Sequence, residues 1–323
     1  MNSWTLVKIV EATQLAGHVV TLTLAAPDGQ ELPAFAPGAH IDVEPTPGLV
    51  RQYSLLGDPQ DRRCYRIAIK LEAQSRGGSR AMHDLATKAA SSSQLINVGA
   101  PRQNFPLAIS GGHHVLLGAG IGITPLLSMA RGLANGGASF ALDYYAAAGQ
   151  AAFADEIRRQ FNSDRARVNE GVPRAGVEAA LKAHLQADRP DVHYYACGPD
   201  GFMEMAKRLS NDHGAADRFH LERFAAEPVV GKPSDAPIRL VLARSGKEVT
   251  VRPDQTFADA LAAQGVLCSL SCRQGICGTC ITPVLEGTPD HRDTVLTPEE
   301  HASNSLICLC VSRAHGSHLV LDL

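Results

Sequence analysis

The chain has 323 residues, 45% of them hydrophobic and 20% charged, with a formal net charge of -3. That length supports two or three domains with substantial cores, and the slight acidic excess argues against nucleic acid as a general partner. No apolar stretch reaches membrane-spanning length, and the first ten residues lack a basic segment followed by an apolar run, so a soluble cytoplasmic protein with no membrane partner is expected.

Residues 1–108 are dominated by short alternating runs such as His18–Leu24, His40–Val43 and Cys64–Lys70, separated by Pro and Gly turns. This pattern predicts an antiparallel β-barrel. Within it, Arg51-Gln52-Tyr53-Ser54 suits a flavin. A guanidinium presents a two-pronged donor to phosphate, Tyr53 a flat ring to the isoalloxazine or ribityl chain, and Ser54 a donor to the ring's polar edge. Taken alone, the four residues read equally well as an edge-strand arginine beside a core tyrosine. Ala68-Ile69-Lys70 on a following strand and Arg76-Gly77-Gly78-Ser79 favour the flavin: the glycines permit close backbone approach to a phosphate, and Ser79 opens a helix whose N-terminus attracts anions. Met82, His83 and Leu85 read as helix packing and surface.

Residues 109–226 change to a repeated strand, glycine turn and helix, the signature of a parallel sheet covered on both faces. Gly118-Ala119-Gly120-Ile121-Gly122-Ile123-Thr124-Pro125 follows the apolar run His114–Leu117 and precedes a helix. A dinucleotide pyrophosphate binds at such a turn, although the third glycine falls one residue too early for the G-x-G-x-x-G fingerprint. Thr124 and Pro125 are expected as N-cap and first helical residue. A purely structural βα turn is the alternative. Cys197-Gly198-Pro199 ends a later strand of the same sheet, where the thiol would lie beside the nicotinamide unless it is buried filler. Phe224, in Glu222-Arg223-Phe224, reads either as a cover for a flavin face or as core.

A Pro- and charge-rich linker is expected over 227–236, followed by a third domain over 237–323. It starts with a hairpin of Ile238–Leu242 and Glu248–Val251 and a helix from Thr256 to Gln264. Then come Cys272, Cys277, Cys280 and Cys310, spaced C-x4-C-x2-C-x29-C, the arrangement of thiolates that holds a plant-type 2Fe-2S cluster. Each iron needs two soft thiolates, and Gly275 and Gly278 let the loop turn its N–H groups toward the sulfides. A zinc site or structural thiols fit this spacing poorly. Leu306–Val311 reads as one strand, which puts Cys308 and Cys310 on the same face, so spacing alone selects Cys310 as ligand and leaves Cys308 as a small buried hydrophobe. Cys64, Cys197 and Cys268 are scattered, as expected in a reducing compartment.

Taken in order, R-x-Y-S, G-A-G-I-G-I-T-P, C-G-P and the cysteine cluster resemble the phthalate dioxygenase reductase family, which includes the reductases of vanillate demethylase and carnitine monooxygenase. The resemblance spans essentially the whole chain. It implies a multidomain protein: a Greek-key barrel binding FMN, an α/β domain binding NADH and a C-terminal β-grasp ferredoxin domain. The domain order favours FMN over FAD by analogy. Carried over by position, Arg51, Gln52, Tyr53, Ser54, Ala68, Ile69, Lys70, Gly77, Gly78 and Ser79 would hold the flavin. Gly118, Gly120, Gly122, Thr124, Pro125, Cys197, Gly198, Pro199 and Phe224 would frame the nicotinamide nucleotide, with Cys197 and Phe224 beside the reacting ring. Relatives often carry an arginine after the second strand of the nucleotide domain, whereas this chain has Tyr144-Tyr-Ala-Ala-Ala-Gly-Gln150, so NADH is expected over NADPH.

NADH yields two electrons at once and a two-iron cluster accepts one, so a flavin between them is needed to split the pair. The implied acceptor is the Rieske center of a terminal non-heme iron oxygenase, met by a monomeric reductase in a brief encounter. A general NADH:acceptor reductase serving a ferredoxin or cytochrome, and an iron–sulfur redox sensor, are the competing readings. The intact flavin motif and the lack of a basic DNA-reading segment weigh against the sensor.

Overall fold

The computed structural model describes residues 4–73, 75, 77–89, 91–108, 112–185, 191–224 and 236–323, so Arg76 and nearly all of the expected linker lie outside the described residues. The chain divides into two compact units, Asn2–Arg223 and Phe224–Leu323.

The larger unit begins with β1 (Trp4–Leu15), β2 (Val19–Ala25), β3 (His40–Thr46), β4 (Leu49–Ser54), β5 (Cys64–Lys70), α1 (Gly78–Ala89) and β6 (Gln94–Gly99). The six strands form one antiparallel sheet in the order β4-β3-β6-β1-β2-β5. Its concave face closes over Val7, Leu22, Leu24, Ile41, Ile67 and Val98, and α1 inserts Met82 and Ala86 into that core. The edge strands β4 and β5 approach each other, but among the described residues no ladder joins them. They leave a seam beside α1.

The chain continues through β7 (His113–Ala119), a 3-10 turn (Gly120–Gly122), α2 (Ile123–Asn135), β8 (Phe140–Ala146), α3 (Ala154–Gln160), β9 (Ala166–Glu170), α4 (Arg174–Leu185), β10 (Val192–Cys197), α5 (Asp200–Asp212) and β11 (Phe219–Glu222). These strands make a parallel sheet in the order β11-β10-β7-β8-β9. α2 and α3 pack on one face, through Ile123, Leu126, Ala130 and Ile157, and α4 and α5 on the other, through Val177, Leu181, Met203 and Leu209. The first of these cores also takes in Val19, Leu56, Ala68 and Phe105 from the barrel, so the two halves share buried apolar surface and form one unit. From β7 the order runs to β8 on one side and to β10 on the other, and between β7 and β10 lies the topological switch point where open α/β sheets bind ligands.

The smaller unit contains β12 (Ile238–Leu242), β13 (Glu248–Val251), α6 (Phe257–Ala263), β14 (Ile281–Asp290), α7 (Pro298–Ser303), β15 (Leu306–Cys308) and β16 (Arg313–Leu321). Its sheet runs β13-β12-β16-β14-β15, with β12 and β16 parallel and the remaining pairs antiparallel. α6 lays Phe257, Ala258 and Leu261 on the sheet, giving the expected β-grasp. Thr256 caps α6 by accepting from the Asp259 N–H, and Thr297 forms a capping box with Glu300 at α7.

Two local expectations are corrected. The 3-10 turn runs straight into α2, so Gly122 takes the N-cap position; Thr124 already lies inside the first turn, and its hydroxyl donates to the Ile121 carbonyl at 3.0 Å. The run Leu306–Val311 is a strand only as far as Cys308, because the N–H groups of Val311 and Ser312 both turn back onto the Cys308 carbonyl. Cys310 therefore sits in a turn, and the same-face argument does not apply to it.

One half-buried carboxylate ties the barrel to the parallel sheet. Glu156 of α3 receives Arg66 of β5 at 2.5 and 2.8 Å and also Arg131 of α2, whose guanidinium additionally donates to the Leu56 carbonyl. Burial pushes the Glu156 carboxyl up, but hydrogen bonds and charge from Arg66 and Arg131 outweigh it and hold the group below its ordinary 4.5. Its contribution is thus present above the unfolded value and is lost as pH falls through the folded one. Glu156→Gln leaves the enclosed Arg131 and the half-buried Arg66 short of charge and is expected to cost the larger unit about 2 kcal/mol at pH 7 in denaturant unfolding, with the difference from wild type shrinking at acid pH.

Candidate functional site

At the barrel seam, β4 and α1 place Arg51 against Gly78. A Cβ on Gly78 would fall 2.5 Å from Arg51 Nε, so only glycine lets the guanidinium stem cross the start of the helix. Gly77, at φ +87°, turns the chain into α1 there. The result is a cation, also donating to the Val50 carbonyl at 2.8 Å, beside the N-terminus of a helix, a combination that suits an anion. Tyr53 packs against the barrel core, where burial pushes its phenol well above the ordinary range, and Ser54 is buried opposite His40.

Other expected flavin residues are committed elsewhere. Gln52 Nε2 donates to the buried Asp42, and Ser79 Oγ accepts the Glu72 N–H and donates to Ser75. Ala68 and Ile69 turn their side chains into the two cores, while Lys70 is exposed. His83, expected as packing or surface, ties α1 to β5 through a 3.1 Å contact between Nε2 and the Ile69 carbonyl.

A cleft of about 790 Å³ opens between the barrel and the C-terminal ends of the parallel strands; Val19 and Lys70 line it from the barrel, and Gly120, Tyr144, Pro199 and Phe202 from the nucleotide half. Gly120 is left-handed at φ +55° with open space where a Cβ would point, which leaves room for a ligand to approach the backbone. Gly122 does different work. A Cβ there would sit 2.4 Å from the Cys197 carbonyl carbon and 2.5 Å from the Gly198 nitrogen, so this glycine lets the β7 loop lie on the end of β10. Gly198 in turn leaves space for Ala119, and Gly118 for Ile123. Thr124 and Pro125 are buried in α2 and do not line the cleft.

Cys197 is fully enclosed, and burial, with Glu222 nearby, pushes its thiol well above the usual value. Glu222 is its register neighbour on β11; desolvation raises that carboxyl to about 8, and its Oε2 is enclosed without a hydrogen-bond partner. A carboxyl raised toward neutral pH beside Cys197 was not legible in the sequence, since the neighbouring strand lies 25 residues earlier. Phe224, just past β11, is 40% exposed. The run Ala146–Ala148 and Gln150 does line the cleft and carries no cation, but Arg174 at the start of α4 lines it too, a residue that sequence reasoning missed. Opposite the same turn, Glu170 accepts the Gly149 N–H at 2.9 Å.

In the smaller unit the loop before β14 carries Arg273, Gly275 and Gly278, all at positive φ. A Cβ on Gly275 would meet Val311 at 2.6 Å, so the glycine brings the loop down onto the turn that holds Cys310. The N–H groups of Gln274 and Thr279 point at the Cys272 and Cys277 sulfurs, at 3.3 and 3.5 Å. Cys310 contacts both Cys272 and Cys280, whereas Cys308 lies 3.3 Å from Cys280 and 3.9 Å from Cys310. The four thiols of the expected ligand set thus converge at one loop whose N–H groups face sulfur, a donor set that fits a 2Fe-2S cluster.

Residues 240–315 match the 2Fe-2S iron-sulfur cluster binding domain. Vanillate O-demethylase oxidoreductase of Pseudomonas sp. (strain HR199 / DSM 7063) is 38% identical over 98% of this chain and 99% of its own length. Among solved structures, phthalate dioxygenase reductase matches with 32% identity and a TM-score of 0.73, covering 99% of this chain and 98% of that one. An intact type IV self-sufficient cytochrome P450 monooxygenase matches with 33% identity and a TM-score of 0.87 over 99% of this chain, which spans 41% of that polypeptide. With a flavin- and NAD-binding reductase unit and a 2Fe-2S ferredoxin unit in one polypeptide, the chain belongs to the phthalate dioxygenase reductase family, the oxidoreductases of oxygenase systems.

Proposed function

We propose that the protein takes electrons from NADH through FMN to its 2Fe-2S cluster and delivers them, as a monomer in transient contact, to a terminal Rieske non-heme iron oxygenase. The working segments are 1–108 for flavin, 109–226 for the nucleotide and 237–323 for the cluster, joined by 227–236. The observation that carries the reading is the cleft itself: one wall is the barrel strand bearing Lys70 and the other is the switch point at Gly120 and Pro199, so a nucleotide lying along the sheet ends would reach the barrel. Bound flavin supplies the conversion of a hydride pair into single electrons.

The chain's own residues bind and orient. Arg51 and the first turn of α1 hold the flavin phosphate, with Tyr53 and Ser54 at the ring. The single phosphate corner favours FMN. Gly120 allows close approach of the dinucleotide, Gly198 seats the end of β10 against Ala119, and Cys197, Glu222 and Phe224 back the nicotinamide end. Cys272, Cys277, Cys280 and Cys310 ligate iron, while the Gln274 and Thr279 N–H groups stabilise charge on sulfur. Beside the cleft, the Glu170 carboxylate on the Gly149 turn opposes a 2′-phosphate and favours NADH; within the cleft, Arg174 serves the pyrophosphate.

Under anaerobic NADH, wild type should bleach first the yellow chromophore and then the iron absorption, and pass electrons to a Rieske oxygenase. Cys310→Ser should still bleach the flavin but lose the iron spectrum and the delivery, whereas Cys308→Ser keeps both; the reverse outcome would move the fourth ligand to Cys308. Flavin released by heat should run as FMN on a column, and Arg51→Ala should weaken its retention roughly 10- to 100-fold, the worth of a charge-assisted phosphate contact. Steady-state kcat/KM should favour NADH over NADPH by about tenfold or more, and Arg174→Ala should raise the NADH KM roughly fivefold with kcat held. Loss of NADPH turnover alone in that variant would instead assign Arg174 to a 2′-phosphate.

A further inference from the structure

Beyond the cluster ligands, the smaller unit gathers a second set of metal-binding side chains. β14 runs out into His291-Arg292-Asp293, and α7, fixed by its capping box, brings His301 back over them. One donor atom from each of His291, Asp293 and His301 lies within 4.8 Å of the other two. His301 Nε2 is 3.2 Å from Asp293 Oδ2, and His291 Nδ1 is 3.7 Å from Asp293 Oδ1. The two imidazoles stack with centroids 4.3 Å apart and planes inclined by 24°.

The hydrogen bonding leaves this group incomplete. The Asp293 side chain is wholly enclosed; Oδ1 accepts from Ser312 Oγ at 3.1 Å and Oδ2 from the Leu296 N–H at 3.0 Å, which leaves lone pairs on both oxygens. Both ring nitrogens of His291 are buried without a hydrogen-bond partner. Arg292, the adjacent cation, directs its guanidinium to Asp290. A simple ion pair between Asp293 and a protonated His301 would account for His301 but would leave His291 idle on both nitrogens, a desolvation cost of about 1–3 kcal/mol per unpaired group.

We infer that His291, Asp293 and His301 form a divalent transition-metal site of the zinc type, separate from the cysteine cluster. Two imidazole nitrogens and one carboxylate oxygen are the donor set that suits Zn²⁺. Bond lengths of about 2.0–2.1 Å in a tetrahedron place donor atoms about 3.3 Å apart; the His301–Asp293 and His291–Asp293 pairs stand at 3.2 and 3.7 Å, and the stacked rings must turn their nitrogens toward one point to complete the set. His301 is 31% exposed, so an ion has a path in, and the fourth coordination position falls to solvent. Asp293 also braces the cluster loop: a Cβ on Gly275 would lie 3.1 Å from Asp293 Cα, and the Thr294 N–H donates to the Gly275 carbonyl. An ion held there adds positive charge behind the loop that carries three of the cluster cysteines, which favours the reduced cluster.

The test uses holoprotein freed of loosely bound metal on a chelating resin and titrated with Zn²⁺ alone against a chromophoric competitor, with iron absorption followed to show that the cluster stays intact. One saturable equivalent is expected with Kd of about 10 μM or tighter, weakened at least about tenfold in His301→Ala and unchanged in His315→Ala, whose histidine is exposed elsewhere on the unit. If His301→Ala does not fold, zinc-edge anomalous scattering from zinc-treated wild-type crystals should give a peak between the three side chains. Absence of a saturable equivalent, equal affinity in His301→Ala, or anomalous peaks only at other histidines would overturn the assignment. None of these readouts depends on electron transfer, so they stand apart from the fate of the proposed reductase chemistry.

Discussion

The close approach of Gly122 to the Cys197–Gly198 peptide is the constraint on which the nucleotide cleft depends. Any side chain at 122 would push the β7 loop off the end of β10, and the switch point between them would no longer close. Because Gly198 simultaneously yields to Ala119 and Gly118 to Ile123, three glycines act as a set: each removes a side chain so that a neighbour's backbone or methyl can take its place. Gly120, at the centre of the same segment, faces open space instead. The motif therefore divides its labour, with Gly118 and Gly122 serving the packing and Gly120 left open toward the cleft.

Much of this was legible because it is local. The spacing of Cys272, Cys277 and Cys280 needs only a loop of a few residues, and left-handed geometry at Gly275 and Gly278 follows from residue type. The hairpin at Ile238–Val251 and the helix after Thr256 likewise declare themselves through alternation and a capping residue. Expectations weakened where the outcome depended on a non-local partner or a subtle turn. Thr124 looks like an N-cap in sequence, and nothing local reveals that a 3-10 turn has already started the helix two residues earlier. Ile307 and Leu309 look equally strand-like, yet hydrogen bonds back to the Cys308 carbonyl end the strand between them.

Glu222 illustrates the same limit for chemistry. In sequence it is one carboxylate among 33 acidic residues; in the fold it lies half-buried beside Cys197, and desolvation raises its carboxyl to about 8. Arg174 is similar, since its place at the cleft depends on where α4 starts relative to a sheet edge that sequence reasoning did not outline. β9 was missed because Ala166–Glu170 is short and polar, as befits an edge strand with one exposed side.

The position of β16 has a bearing on how the ferredoxin unit is made. It lies at the centre of its sheet, between β12 and β14, although it follows every other strand in the chain. A ribosome delivers all four cluster cysteines before it delivers this strand, so during translation the thiols are present while the scaffold behind them is still open. The sheet behind that loop is complete only when residues 313–321 lie between β12 and β14, so the cysteines are made before their support is.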